Sequence, residues 1–129
     1  MFSITVETEF CAAHALVIAG VREALHGHNF HVWVTVEGPG LDGDGLLCDF
    51  HGVQAALREV TGPLADGNLH DAAAFAGGNP PPTAENIARH IADEVGARLR
   101  GRLPAGARVS LVRVTEAPGC VASYAPGGR

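Results

Sequence analysis

Two imidazoles separated by a single glycine, His26-Gly27-His28, are the side chains in this sequence best spaced for chemistry. On a strand, residues two apart share a face, so both rings point the same way and can close on one ion. Gly27 carries no side chain and leaves the backbone open to whatever is bound. A third ligand must come from elsewhere, and His14, closing Phe10-Cys11-Ala12-Ala13-His14, is the natural source. Antiparallel pairing of the segment that ends there with the one that begins near His26 sets His14 beside the pair. Neutral imidazoles suit zinc, and three protein ligands leave a fourth position for water or substrate, as in catalytic zinc sites. The pair alone is not specific. A lone histidine near a strand end is ordinarily solvated or capping, and His51, His70 and His90 read that way. His31 has the opposite parity to His28 and faces away.

The elements that must position these rings are legible in the hydrophobic pattern. Phe2, Ile4 and Val6 alternate with Ser3, Thr5 and Glu7, and the period-two strand runs to about Phe10. From His28 to Glu37 the alternation returns, with Phe30, Val32, Val34 and Val36 on one face and Asn29, His31, Trp33, Thr35 and Glu37 on the other. A turn-rich stretch, Gly38 to Gly45, ends that strand. Asp49 caps a predicted helix with Phe50, Val53, Leu57 and Val60 at helical spacing, stopped by Gly62-Pro63. Thr83 caps a second, striped by Ile87, Ile91, Val95 and Leu99. Val109–Glu116 and Val121–Tyr124 read as strands joined by Ala117-Pro118-Gly119, and the tail from Pro126 to Arg129 is expected to fray. The order strand, strand, helix, helix, strand, strand implies an α+β fold: a four-stranded antiparallel sheet with two helices on one face, in a single domain spanning 1–129. Its two exposed sheet edges favour homo-oligomerisation.

Composition narrows the classes. At 129 residues and 47% hydrophobic, the chain builds one core. A net charge of -5 argues against a nucleic-acid partner, which normally meets a basic face. All but one of the nine Lys and Arg residues lie from Arg58 onward and form no dense run, although a local basic pocket could still hold a small polyanion. No apolar run reaches bilayer length, so no membrane partner is expected. The start, Met1 to Glu7, has neither the basic nor the apolar region of a signal peptide. Cys11, Cys48 and Cys120 are odd in number, far apart and never in a C-x-x-C arrangement. A reduced, cytoplasmic protein fits best.

Taken together, Phe10-x-Ala12-Ala13-His14, His26-Gly27-His28-Asn29-Phe30, Asp49-Phe50, Pro82-Thr83-Ala84-Glu85-Asn86 and Val114-Thr115-Glu116 ahead of Tyr124 resemble the 6-pyruvoyl-tetrahydropterin synthase and 6-carboxy-tetrahydropterin synthase family. The resemblance covers nearly the whole chain. It implies the T-fold, in which subunits join edge to edge into barrels, commonly hexamers with active sites at subunit interfaces. It also implies Zn2+ on His14, His26 and His28 and a pterin substrate held by a buried glutamate, which matches Glu116. A carboxylate facing the amino-pyrimidine edge accepts two parallel hydrogen bonds. Without the resemblance Glu116 reads as an exposed strand-end carboxylate. Thr83 and Glu85 fall where the family lines its pterin pocket, and they are equally ordinary helix-start residues.

Two departures bear on the reaction. The family's usual cysteine, four residues before the first histidine of His-Gly-His, is Arg22 here, and the stretch resembles the branch in which a glutamate replaces it, with Glu23 matching. The family's Asp-His pair after the first helix aligns with Ala65 and Asp66, so Asp66, His70 or Asp71 would have to supply a replacement proton relay. The resemblance then implies a zinc-dependent lyase acting on 7,8-dihydroneopterin or its triphosphate, with Glu23 as general base, in folate or queuosine biosynthesis. The alternatives are another reaction on a pterin- or purine-derived metabolite, or a non-catalytic pterin-binding oligomer.

Overall fold

The structure, a computed structural model, describes residues 1–127. Gly128 and Arg129, the end of the tail expected to fray, lie outside the described residues. The chain runs through β1 (Phe2–His14), two short strands β2 (Val17–Ile18) and β3 (Val21–Arg22), then β4 (His26–Gly38), helix α1 (Phe50–Thr61), a two-residue strand β5 (Gly67–Asn68), helix α2 (Ala84–Leu99), β6 (Arg108–Ala117) and β7 (Cys120–Tyr124). The solved fold is the expected α+β arrangement.

β1 and β4 pair antiparallel over their full lengths, from Phe2 opposite Gly38 to His14 opposite His26. Even-numbered residues of both strands therefore share one face. On it Phe30, Val32, Val34 and Val36 are fully buried, joined by Val6, Phe10 and Ala12 from β1 and by Val112 and Val114 from β6. Phe10 and Phe30 stack at 5.2 Å between ring centroids. Both helices cover this face: α1 brings Val53, Leu57 and Val60, and α2 brings Ile87, Ile91, Val95 and Leu99. Burying each of these side chains is worth roughly 1.5–3 kcal/mol. Phe50, counted in the α1 stripe, is instead half exposed, because it sits in the first turn beyond the edge of the packed face.

The caps form as the sequence predicts. Asp49 accepts from the His51 N–H and Thr83 from the Asn86 N–H, each cap contributing on the order of 1 kcal/mol. On the opposite, open face of the sheet His31 stacks on Trp33, and Arg113 lies over the indole.

Two features extend the sequence reading. The sheet has five strands in the order β5-β1-β4-β6-β7, because β5 adds a parallel edge strand beside Ala12 and Ala13. Asp66, at φ +61°, turns the chain there, and its N–H donates to the Cys11 carbonyl. A two-residue strand has no periodicity to read. The second feature is the β2–β3 hairpin, whose two-residue turn Ala19-Gly20 has positive φ at both positions, the twist that a tight hairpin needs. Among the described residues no helix is long and apolar enough to cross a membrane.

Candidate functional site

The pairing register brings the three histidines together. His14 sits opposite His26, and Ala12 opposite His28, on the same face as the Phe10–Phe30 pair. The apolar stripe of β4 thus continues past Phe30 into two imidazoles, and the edge of the core becomes a cage. Ring centroids are 4.8 Å apart for His14 and His26, 5.0 Å for His14 and His28, and 4.8 Å for His26 and His28. One ring nitrogen from each lies within 4.8 Å of the others. His31, as its parity requires, lies on the other face beside Glu7 and Glu9.

Hydrogen bonds fix which nitrogen two of the three rings present. His14 Nδ1 lies 2.8 Å from the Pro82 carbonyl oxygen, and His26 Nδ1 lies 2.8 Å from that of Ala24. A carbonyl oxygen only accepts, so both Nδ1 atoms carry the hydrogen and both Nε2 atoms present a lone pair. His14 is fully buried. Its Nε2 and that of His28 are buried with no hydrogen-bond partner, a burden of about 1–3 kcal/mol for each orphaned group. Burial, the largest influence, holds His28 below its ordinary pKa against the opposing pull of Glu116. Glu116 places Oε1 3.8 Å from His14 Nε2 and Oε2 4.0 Å from His28 Nε2. Ring nitrogens converging beside a carboxylate make a hollow that could hold a divalent cation.

Three clefts surround the cage. One, of about 590 Å³, is lined by Thr83, Glu85 and Glu116 together with Leu16, Ile18 and Cys120. The three residues assigned to substrate binding thus share a wall. Thr83 also serves its helix, since its hydroxyl is the cap.

A second cleft, of about 710 Å³, holds Glu23 and His70, with Arg22, Asn68, Gly77 and Gly78. Glu23 is pinned there from both ends. Its N–H donates to the Leu16 carbonyl at 2.8 Å, and its Oε1 accepts from the Leu16 N–H at 3.2 Å. The same Oε1 lies 3.9 Å from His26 Nε2. The His70 Nε2 lies against the backbone of Ala15, 3.1 Å from its nitrogen and 2.9 Å from its oxygen. His70 therefore pegs the residue that follows His14. Asp66 is on neither wall: it lines a third cleft, of about 570 Å³, with Cys11, Gly27, His28 and Asn29. Of the residues weighed as a proton relay, His70 shares the cleft of Glu23, Asp66 does not, and Asp71 is exposed.

Sequence reasoning missed several contributors. Leu16 lines both the Glu23 and the Glu116 clefts, and the Pro82 carbonyl orients His14. Neither carries a side-chain signature. Cys120 also lines the Glu116 cleft. Cys11 donates to Asn29 Oδ1, and burial, followed by Asp49, pushes the Cys48 thiol up. No cysteine lines the Glu23 cleft among the described residues.

A sequence profile of the family described as 6-pyruvoyl tetrahydropterin synthase matches residues 3–127. A putative 6-carboxy-5,6,7,8-tetrahydropterin synthase from Archaeoglobus fulgidus is 29% identical over 113 residues, 88% of this chain and 86% of that protein. The structure of Caenorhabditis elegans 6-pyruvoyl tetrahydropterin synthase superposes with a TM-score of 0.81 at 18% identity, covering 98% of this chain and 96% of its own. Plasmodium vivax 6-pyruvoyltetrahydropterin synthase, solved as a variant with a catalytic glutamate changed to alanine, superposes with a TM-score of 0.74 at 21% identity, covering 95% and 96%.

Proposed function

The chain belongs to the 6-pyruvoyl tetrahydropterin synthase family, and from that premise we propose that it is a zinc-dependent lyase acting on the side chain of 7,8-dihydroneopterin or its triphosphate, with Glu23 as general base. The observation that carries this reading is the pinned carboxylate of Glu23, 3.9 Å from the Nε2 of His26 on the rim of the histidine cage. The Plasmodium relative, whose altered catalytic residue is a glutamate, supports the same role for a carboxylate.

His14, His26 and His28 would hold the zinc, and the orphaned Nε2 atoms fit it. Bound there, the ion supplies Lewis-acid stabilisation of negative charge developing on a side-chain oxygen. Glu116 accepts hydrogen bonds from the amino-pyrimidine edge, and Thr83 and Glu85 wall the ring. Leu16 anchors Glu23 through one oxygen and leaves the other to take the proton of a side-chain hydroxyl. The hydroxyl oxygen becomes a carbonyl as the adjacent carbon–carbon bond breaks. The electron pair of that bond passes to the pterin-bound carbon, which regains a proton, giving 6-hydroxymethyl-dihydropterin and an aldehyde. His70, in the same cleft, positions the β1 exit and is the candidate proton partner.

The exposed Val17, Ile18, Val21 and Leu25 beside the clefts support a homo-oligomer, with a hexamer favoured and its active sites at subunit interfaces. Three free thiols accord with a reduced, cytoplasmic setting.

Purified protein loaded with zinc is expected to consume 7,8-dihydroneopterin or its triphosphate, and Glu23→Gln to abolish turnover. Recovery of both pterins unchanged, where a cysteine-type relative turns them over, would sink the lyase reading.

One observation favours a second reading. Ala65 and Asp66 stand where the family has its Asp-His pair, and Asp66 lines a different cleft from Glu23. A lost acid–base partner costs roughly 10²–10⁴-fold in rate. The same pocket would then serve a different reaction on a pterin- or purine-derived metabolite, or hold a pterin without turning it over. Tight pterin binding with zinc and no turnover is the outcome that selects it.

A further inference from the structure

Arg22 is the sole Lys or Arg in the first 57 residues. It ends β3 on the wall of the roughly 710 Å³ cleft that holds Glu23. The neighbouring carboxylate does not neutralise it. Glu23 is turned to the Leu16 N–H and to His26, and among the described residues Arg22 makes no salt bridge. Asn68 lines the same cleft. Its Oδ1 is spent on the His70 N–H, so the amide end of the side chain is its remaining donor. Across the cleft Gly77 and Gly78 both have positive φ, and a Cβ built on either meets nothing within 4 Å. Backbone forms that wall, open to close approach by a ligand. The cleft therefore collects an unpaired guanidinium, an amide donor and bare backbone next to the proposed general base.

A guanidinium fork and nearby amide donors recognise phosphate oxygens. We infer that this cleft is an anion subsite, and that Arg22 is a specificity-determining residue that reads a phosphate ester carried on the substrate side chain. The inference deepens the proposed dihydropterin lyase and rests on it for the identity of the substrate. Arg22 occupies the position of the family's usual cysteine, so one substitution both removes a thiol and installs a phosphate contact beside Glu23. The ring would lie against Glu116, the reacting carbons near the histidine cage and the phosphate against Arg22, with Leu16 lining both of the outer clefts.

The test is calorimetry on zinc-loaded full-length protein with three probes: inorganic tripolyphosphate, 7,8-dihydroneopterin and 7,8-dihydroneopterin triphosphate. Arg22→Ala, at an exposed position that makes no salt bridge among the described residues, is expected to weaken tripolyphosphate and the triphosphate ester by about tenfold or more, the loss of a charge-assisted hydrogen bond. The unphosphorylated pterin should bind within about twofold of wild type, the change expected when no contact is lost. Arg22→Lys should restore part of the loss, because it returns the charge without the fork. Equal affinity of wild type and Arg22→Ala for tripolyphosphate, no tripolyphosphate binding to wild type, or an equal loss for both pterins would each overturn the inference. Arg22-dependent tripolyphosphate binding in a protein that takes no pterin would uphold the anion subsite and reject the dihydropterin reading. Normal pterin turnover with no Arg22 effect would do the reverse.

Discussion

His14 donates from Nδ1 to the carbonyl oxygen of Pro82 at 2.8 Å, joining the end of β1 to the residue before the cap of α2. This bond sets the tautomer that leaves Nε2 free for a metal. It also couples the histidine cage to the wall formed by Thr83 and Glu85. Because the His14 side chain is fully buried, His14→Ala is expected both to lose stoichiometric zinc and to destabilise the metal-free protein by about 1–3 kcal/mol, the cavity and the unpaired Pro82 carbonyl outweighing the relief of its orphaned Nε2. Elemental analysis after dialysis and urea unfolding in chelator measure the two effects separately. Retained zinc at wild-type stoichiometry would exclude His14 as a ligand.

Glu116 lies close to two nitrogens of the histidine cage, 3.8 Å from His14 Nε2 and 4.0 Å from His28 Nε2, yet it also lines the Thr83–Glu85 cleft. These positions allow two roles, pterin anchor and fourth metal ligand. Glu116→Gln keeps the shape and removes the charge. As an anchor, its loss weakens dihydropterin binding on the order of 10–100-fold while zinc stays bound. Loss of zinc together with pterin affinity would instead identify a ligand.

Gly38 closes β4 where the strand meets Leu47 and Ala107. A Cβ there would stand 2.7 Å from Leu47 Cδ1 and 3.2 Å from the Ala107 Cα. The second contact is backbone and yields little. Gly38→Ala is therefore expected to cost about 1–3 kcal/mol by overpacking, read as a lower urea midpoint with an unchanged slope. An unshifted midpoint would mean that the 39–47 turn moves aside freely.

The sequence foretold most of the sheet because burial follows parity. Once Phe30, Val32, Val34 and Val36 are assigned inward, His26 and His28 must follow them, and antiparallel pairing leaves His14 one partner. Asp49 and Thr83 were legible because a cap is a local hydrogen bond. What stayed hidden depends on backbone atoms or on segments too short to show a period. The Pro82 carbonyl, the Ala15 amide on His70 and the two-residue β5 carry no pattern in residue types. The β2–β3 hairpin turns on Ala19-Gly20, where asparagine-glycine would have been the readable signal. Arg22 looked like a mere absence of cysteine until the fold set it beside Asn68, Gly77 and Gly78.

His90 gives a test that is independent of the metal. It is half-buried on α2 with its ring against the Phe75 ring at 5.7 Å between centroids. Burial, the largest influence, lowers its pKa below the ordinary 6.5, Glu94 and Asp93 oppose the shift, and Arg98 adds to it. The folded state therefore binds the proton less readily than the unfolded chain. The stabilisation from neutral His90 is complete above the unfolded value and is lost as pH falls through the folded one. In chelator, wild-type stability is expected to drop between about pH 7 and pH 5, a window spanning the ordinary histidine value. His90→Gln should flatten that drop. It should not remove it, because His28 is lowered by burial in the same sense. Urea midpoints measured across this range decide the matter: parallel wild-type and His90→Gln curves would mean that the ring takes up its proton equally well in both states.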